Sequence, residues 1–152
     1  MRRVVIAAVV ALGAAGVASA QVESKPWLGV RSVALQNMPK LVCGTAPCAP
    51  ATAEELANPP VSDAEAQLVY QRGVYSGVSE HCGLDWQARN HAPLMAWARD
   101  AQRKGVRELA LIGAIHDLAR GMARTAITRA GPCSAELKAD MERQLDFRPP
   151  AP

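Results

Sequence analysis

Residues 106–130 carry the clearest structural signal in the chain, an α-helical pattern. Apolar side chains recur along this segment at spacings of four, three and four residues, namely Leu111, Ile115, Leu118 and Met122. Such spacings place side chains on one face of an α-helix, and Ile112, Ala119 and Ala126 widen that face. Gly131-Pro132 ends the segment, because proline cannot continue a helix. An apolar face of this length requires other helices to cover it.

Three further segments are predicted as helices, at about 63–82, 91–104 and 135–146. Ser62 and Glu65 form a capping box at the start of the first, and Ser134 precedes the last as its N-cap. The apolar stripe of the first helix is expected to comprise Ala64, Leu68, Tyr75, Val78 and Cys82. Because the connections are short, sequential helices run antiparallel. Residues 61–147 therefore predict an all-α fold, a small antiparallel helical bundle of about four helices.

Prolines separate this helical domain from the two ends of the chain. Residues 21–60 contain Pro26, Pro39, Pro47, Pro50, Pro59 and Pro60. Proline disfavours helix interiors and central strands, so this stretch is predicted to be an irregular, proline-rich N-terminal arm. Within it, Thr52 and Glu55 resemble a capping box and predict a short helical turn. Residues 148–152 form a stiff, proline-rich tail.

Residues 1–20 have the organisation of a secretory signal peptide. Arg2 and Arg3 precede an uncharged apolar stretch at 4–17, and Ala18-Ser19-Ala20 is a small-residue cleavage site that leaves Gln21 as the first mature residue. The alternative is an uncleaved membrane anchor, but a span needs roughly 20 apolar residues and this stretch is shorter. We therefore expect a protein of the periplasm or extracellular space, with no membrane span after cleavage.

The net charge argues against nucleic acid as a partner. Without Arg2 and Arg3, the 17 basic side chains fall to 15 against 14 acidic ones, and the formal charge falls from +3 to +1. Such a chain has no global field that attracts polyanions. Acidic residues concentrate at 50–90 and basic residues at 99–129, which predicts helices that neutralise each other across the bundle.

The four cysteines are predicted to form two structural disulfides. If the helices run up, down and up, Cys82 at the end of one helix and Cys133 just beyond another lie at the same end of the bundle. Cys43 and Cys48 are then left as a local pair around a turn. The alternative joins the arm to the bundle, with Cys43 or Cys48 bonded to Cys82 or Cys133. A redox-active thiol pair is disfavoured because four residues, instead of two, separate Cys43 from Cys48.

The three histidines are the candidate ligands for a metal ion or small molecule, with Met95 or Met122 as further ligands for copper. His81 and His91 flank a polar stretch, and His116 lies mid-helix at the edge of the apolar face. Imidazole suits copper and zinc, but no two histidines share a metal-ligand spacing on one helix. We expect His116 to be structural. No cofactor and no catalytic residues are predicted, because the chain has no phosphate loop, nucleophile elbow or paired-carboxylate pattern.

Three other residues are candidates for an interaction. Trp86 lies in the connection after the first helix and is expected to close the end of the core. Arg120 and Arg124 lie one turn apart, where like charges repel, so an acid from another helix, Asp117 or an anionic partner is expected between them.

Together these features favour a non-enzymatic protein that binds, inhibits or helps to assemble another periplasmic or envelope protein. The alternative is a periplasmic metal or small-ligand binder using His81, His91 and His116. The sequence does not indicate the oligomeric state.

Overall fold

The computed structural model describes residues 25–150 and is mostly helical. The helices are α1 Pro26–Gln36, α2 Ala53–Ala57, α3 Asp63–His81, α4 Ala92–Asp100, α5 Val106–Ala130 and α6 Ala135–Gln144. A 3-10 turn at Met38–Lys40 follows α1, and a π-helical turn at Gln87–His91 leads into α4. Strands β1 Val42–Cys43 and β2 Ala46–Pro47 form a small antiparallel hairpin. The signal peptide predicted at 1–20 lies outside the described residues.

The four predicted helices are present, and their caps explain where they begin. The Ser62 hydroxyl accepts from the Glu65 amide while the Glu65 carboxylate accepts from the Ser62 amide, at the start of α3. Ser134 caps α6 through the Leu137 amide. The helix predicted at 91–104 is shorter, because the π-helical turn precedes it and the chain turns after Asp100. That turn contains Arg103, the only non-glycine residue of the described range with a positive φ (55°).

α3 and α5 run parallel and touch through glycines. A Cβ placed on Gly73 would lie 2.5 Å from the His116 carbonyl oxygen, and one on Gly77 would lie 2.3 Å from that of Arg120. From the first of these contacts to the second, both helices advance by four residues toward their C-terminal ends, so their directions are the same. A backbone-to-backbone approach this close is possible only because glycine has no side chain. The arrangement agrees with the predicted up, down and up order.

The N-terminal arm was predicted to be irregular, but it contains the β1–β2 hairpin and a regular helix, α1, which packs on α3 and α5. Pro26 occupies its first turn, where the missing N–H has no helical partner to lose. Val30, Ala34 and Leu35 are buried in the main core. Arg31 fastens the helix to the start of α3 by donating to the Val61 carbonyl at 2.7 Å. The predicted short helical turn in the arm is present as α2, with its capping box.

Both disulfides follow the predicted pairing. Cys43–Cys48 closes the β1–β2 hairpin, with the two Cα atoms 4.9 Å apart. Cys82–Cys133 joins the ends of α3 and α5 at a Cα separation of 5.2 Å, and lies in a second, smaller core with Met141 and Leu145 of α6 and its C-cap. The arm-to-bundle alternative is thereby excluded.

Ion pairs join the acidic and basic stretches as expected. Glu55 meets Arg107 at 2.7 Å, and Lys104 meets Glu65 at 2.9 Å. The hydrogen bond from Arg107 lowers the pKa of Glu55 to about 2. Between residues 25 and 150, no helix is both long and apolar enough to cross a membrane.

Candidate functional site

Several sequence candidates meet in one cluster beside α5. We call Trp86, His91, His116 and Arg120 the aromatic–histidine cluster. The rings of His91 and His116 lie 4.6 Å apart between centroids, and Trp86 stacks on His116 at 5.8 Å. The Arg120 guanidinium lies over the Trp86 ring, 4.7 Å from its centroid. These residues come from the α3–α4 connection and from α5, which the parallel α3–α5 packing brings together.

His81 does not join this cluster. Its Nδ1 lies 3.5 Å from the Thr128 hydroxyl, near the C-terminal ends of α3 and α5. The metal alternative required the three histidines to converge, and only His91 and His116 do so. Across residues 25–150, no group of three or more His, Cys, Asp or Glu side chains is placed to hold a metal ion.

A chain of hydrogen bonds runs from the buried Arg72 through Asn90, Ser76 and His116 to the exposed Asp117. Arg72 Nε donates to Asn90 Oδ1 at 2.5 Å, and Asn90 Nδ2 donates to Ser76 Oγ at 2.7 Å. Ser76 Oγ lies 3.0 Å from His116 Nε2, and His116 Nδ1 lies 3.5 Å from Asp117. Ser76 Oγ accepts from Asn90 and retains a proton that it can donate to Nε2; in the tautomer that accepts this proton, His116 Nδ1 carries its hydrogen on the side of Asp117.

The last three groups of this chain have the connectivity of a serine–histidine–aspartate triad. A nucleophile must, however, reach its substrate, and both Ser76 and His116 are 0 % exposed. The Asn90 amide also lies against the Ser76 oxygen. The arrangement as it stands satisfies the hydrogen-bonding groups of Ser76 and His116.

Arg72 is a buried cation that the sequence analysis did not single out. Its guanidinium donates to the Gln144 carbonyl at 3.1 Å and to that of Leu145, at the C-terminal end of α6. Burial lowers its pKa, while the negative end of the helix dipole favours its charge. Nothing in the sequence marks Arg72, because its partners lie between 18 and 73 residues away along the chain.

The π-helical turn ties three helices together through consecutive residues. Arg89 bonds Glu142 and Asp146 at the end of α6, the latter at 2.7 Å. The Asn90 side-chain amide donates to the Arg72 carbonyl of α3, and His91 packs on His116 of α5. Burial and the neighbouring His116 lower the pKa of His91.

Arg120 and Arg124 share an acid from another helix, one of the expected arrangements. Glu80 of α3 lies 2.5 Å from Arg120 and 2.9 Å from Arg124. Asp117 also approaches Arg120, at 3.4 Å. Two arginines on one turn of α5 are therefore compensated within the protein.

An apolar groove lies between α1 and α5. We call it the α1–α5 groove. It holds two cavities of about 310 and 400 Å³. Its apolar lining includes Val30, Val33, Leu41, Leu118 and Met122. Val33 is 45 % exposed and Met122 is 54 % exposed.

The exposure of this groove corrects one prediction. Met122 and Ala126 were expected on the buried face of α5, but both are exposed. The reason is the glycine contact, which turns the His116–Ala119–Ala123 side of α5 toward α3. α1 runs antiparallel to α5 and begins beside Met122, so within residues 25–150 it does not cover the last two turns of α5.

Comparison with known proteins adds no relative: no family model, curated protein or solved structure matches this chain.

Proposed function

We propose that this is an exported, non-enzymatic protein of the bacterial periplasm that acts by binding another protein through the α1–α5 groove. The observation that carries the proposal is the open apolar lining of the groove, with Val33 and Met122 about half exposed. Clustered apolar surface of this kind is typical of protein-binding sites. The partner would be another periplasmic or envelope protein that inserts an apolar helix or loop.

Export is supported by the signal sequence expected at residues 1–20 and by the cysteines. All four cysteines are paired in disulfides. Disulfides persist in oxidising compartments and are rare in the cytosol.

The aromatic–histidine cluster supports an enzyme or a metal carrier less well. Ser76 and His116 are closed to solvent, and two converging histidines provide fewer ligands than the tetrahedral sites preferred by zinc. The exposed binding surface lies on the α1–α5 groove, and its lining is apolar.

Site-specific photo-crosslinking tests the proposal. A photoreactive amino acid replaces Val33 in the groove, and the matched control replaces Val106, which is 62 % exposed at the start of α5 and lies outside the groove. In cells of the source organism, the residue-33 probe should form one dominant adduct with a different protein, and the residue-106 probe should not. Loss of that adduct in a folded Leu118→Glu background would support the groove. Equal adducts from both probes, or none from residue 33, would contradict the proposal.

A further inference from the structure

The exposed side of the last turns of α5 has a self-complementary pattern. We call it the α5 outer face. It consists of two rows of side chains, each with a spacing of four residues, so each row follows one ridge of the helix. The first row is Asp117, Gly121, Thr125 and Arg129, and the second is Leu118, Met122 and Ala126. When two copies of a helix pack antiparallel, each row of one copy faces the same row of the other copy in reverse order.

The first row is complementary in charge. It begins with an acid and ends with a base, about 18 Å apart along the helix. In an antiparallel pair, Asp117 of each copy meets Arg129 of the other, and the small Gly121 meets Thr125. The Asp117 side chain is 58 % exposed. Within the described residues, the ion pairs of α5 engage Arg120 and Arg124 with Glu80 and leave Arg129 without an acidic partner.

The second row is complementary in size. In an antiparallel pair, Leu118 of one copy lies opposite Ala126 of the other, and the two Met122 side chains lie opposite each other. A large side chain opposite a small one allows two helices to approach closely, and methionine adapts to the space at the centre. The midpoint of the first row is position 123 and that of the second row is position 122. A single two-fold axis that passes between these positions therefore relates both rows to the same rows of the second copy.

We propose that the α5 outer face binds the same face of a second copy of this chain, with the two α5 helices antiparallel. A two-fold interface uses one patch on both subunits and is the commonest arrangement in homo-oligomers. The inference rests on the proposed function, because the α5 outer face and the α1–α5 groove share Asp117, Leu118 and Met122. Dimerisation and partner binding therefore compete for these three residues.

A cysteine at the axis tests the geometry directly. In Met122→Cys the two introduced thiols meet across the axis, and the native cysteines are already bonded. Mild oxidation should convert most of this variant to a covalent dimer. The control, Val106→Cys, exposes its thiol away from the face and should remain mostly monomeric. Equal rates of dimer formation by the two variants would overturn the proposal.

Charge reversal tests the first row, with sedimentation equilibrium on the mature protein as the measurement. Asp117→Arg and Arg129→Asp should each weaken dimerisation about tenfold, because two symmetry-related pairs become repulsive. The double variant should restore it. Since Asp117→Arg also alters contacts with His116 and Arg120 inside one chain, the rescue by Arg129→Asp is the decisive comparison. A wild-type protein that stays monomeric at about 100 µM, or a double variant no better than the singles, would refute the dimer. A residue-33 adduct with a different protein would still support the proposed function, so the two failures are distinguishable.

Discussion

Replacing Gly77 by alanine should destabilise the protein, although alanine is the better helix former. The added methyl group would lie 2.3 Å from the Arg120 carbonyl oxygen and 3.0 Å from the Ala123 Cβ. Both neighbours are fixed parts of α5, so neither can rotate away. To reach ordinary contact, the two helices must separate by about 1 Å, which loosens packing along their whole contact.

Two opposing effects set the magnitude. Glycine to alanine in a helix interior gains about 1 kcal/mol from backbone propensity. Overpacking a close contact costs about 1–3 kcal/mol and sometimes more. Since the clash is with backbone, we take the upper end of that range and expect a net loss of about 2 kcal/mol. For a chain of this length, the corresponding decrease in Tm is about 6–8 °C.

Gly113→Ala is the matched control, because it makes the same change in α5 at a position with nothing within 4 Å of the new Cβ. Gly113→Ala should stabilise the protein by up to about 1 kcal/mol. Urea unfolding followed by circular dichroism measures both variants. If Gly77→Ala is as stable as the wild type, or if both variants lose stability equally, the proposed contact between α3 and α5 is wrong.

Three further predictions concern the disulfide, a histidine and the buried serine. Replacing Cys82 and Cys133 together by serine should lower the free energy of unfolding by about 4 kcal/mol, because the bond closes a loop of about 50 residues; an unchanged urea midpoint would contradict this. The pKa of His91 in the folded protein lies below its usual value of 6.5. The unfolded chain therefore binds the proton more tightly than the folded protein does. As a result, the free energy of unfolding decreases as the pH falls from 6.5 toward the folded-state pKa. His91→Gln should therefore lose less stability than the wild type between pH 7 and 5, as measured by urea unfolding at each pH, and an equal loss would exclude His91 as a source of acid sensitivity. A fluorophosphonate probe should not label the native protein, since Ser76 is closed to solvent; stoichiometric labelling that disappears in Ser76→Ala would indicate a hydrolase.

Most helix boundaries, and through them the Cys82–Cys133 bond, were predictable because the signals that set the boundaries are local; the end of α4, at Asp100 instead of 104, was not. Capping boxes, Gly131-Pro132 and the three- and four-residue spacings each act within a few residues of the element they define. The disulfide then followed from helix direction alone. α1 was missed because Pro26 was counted as a breaker, whereas in the first turn proline is tolerated.

The buried face of α3 was not predictable from apolar periodicity. The expected stripe included Leu68, Tyr75 and Val78, which are only partly buried. The most buried side of α3 instead carries mostly small and polar residues, namely Ala66, Val69, Arg72, Gly73, Ser76, Gly77 and Ser79. Small residues permit close contact between helices, but a search for large apolar side chains passes over them. The partners of Arg72 and His116 depend on that contact and were invisible for the same reason.

The buried polar chain and the exposed apolar face of α5 have one common cause. Gly73 and Gly77 bring α3 against the His116 side of α5, and this closes Ser76 and His116 from solvent. The helix then presents its opposite side, with Leu118 and Met122, away from α3. Burial of a polar group is favourable only if the group is hydrogen-bonded, as Ser76 and His116 are here, and α5 also buries Leu111, Ile115 and Ala119. The exposed apolar side has no such compensation within the described residues, and for that reason we place the binding surface of this protein there.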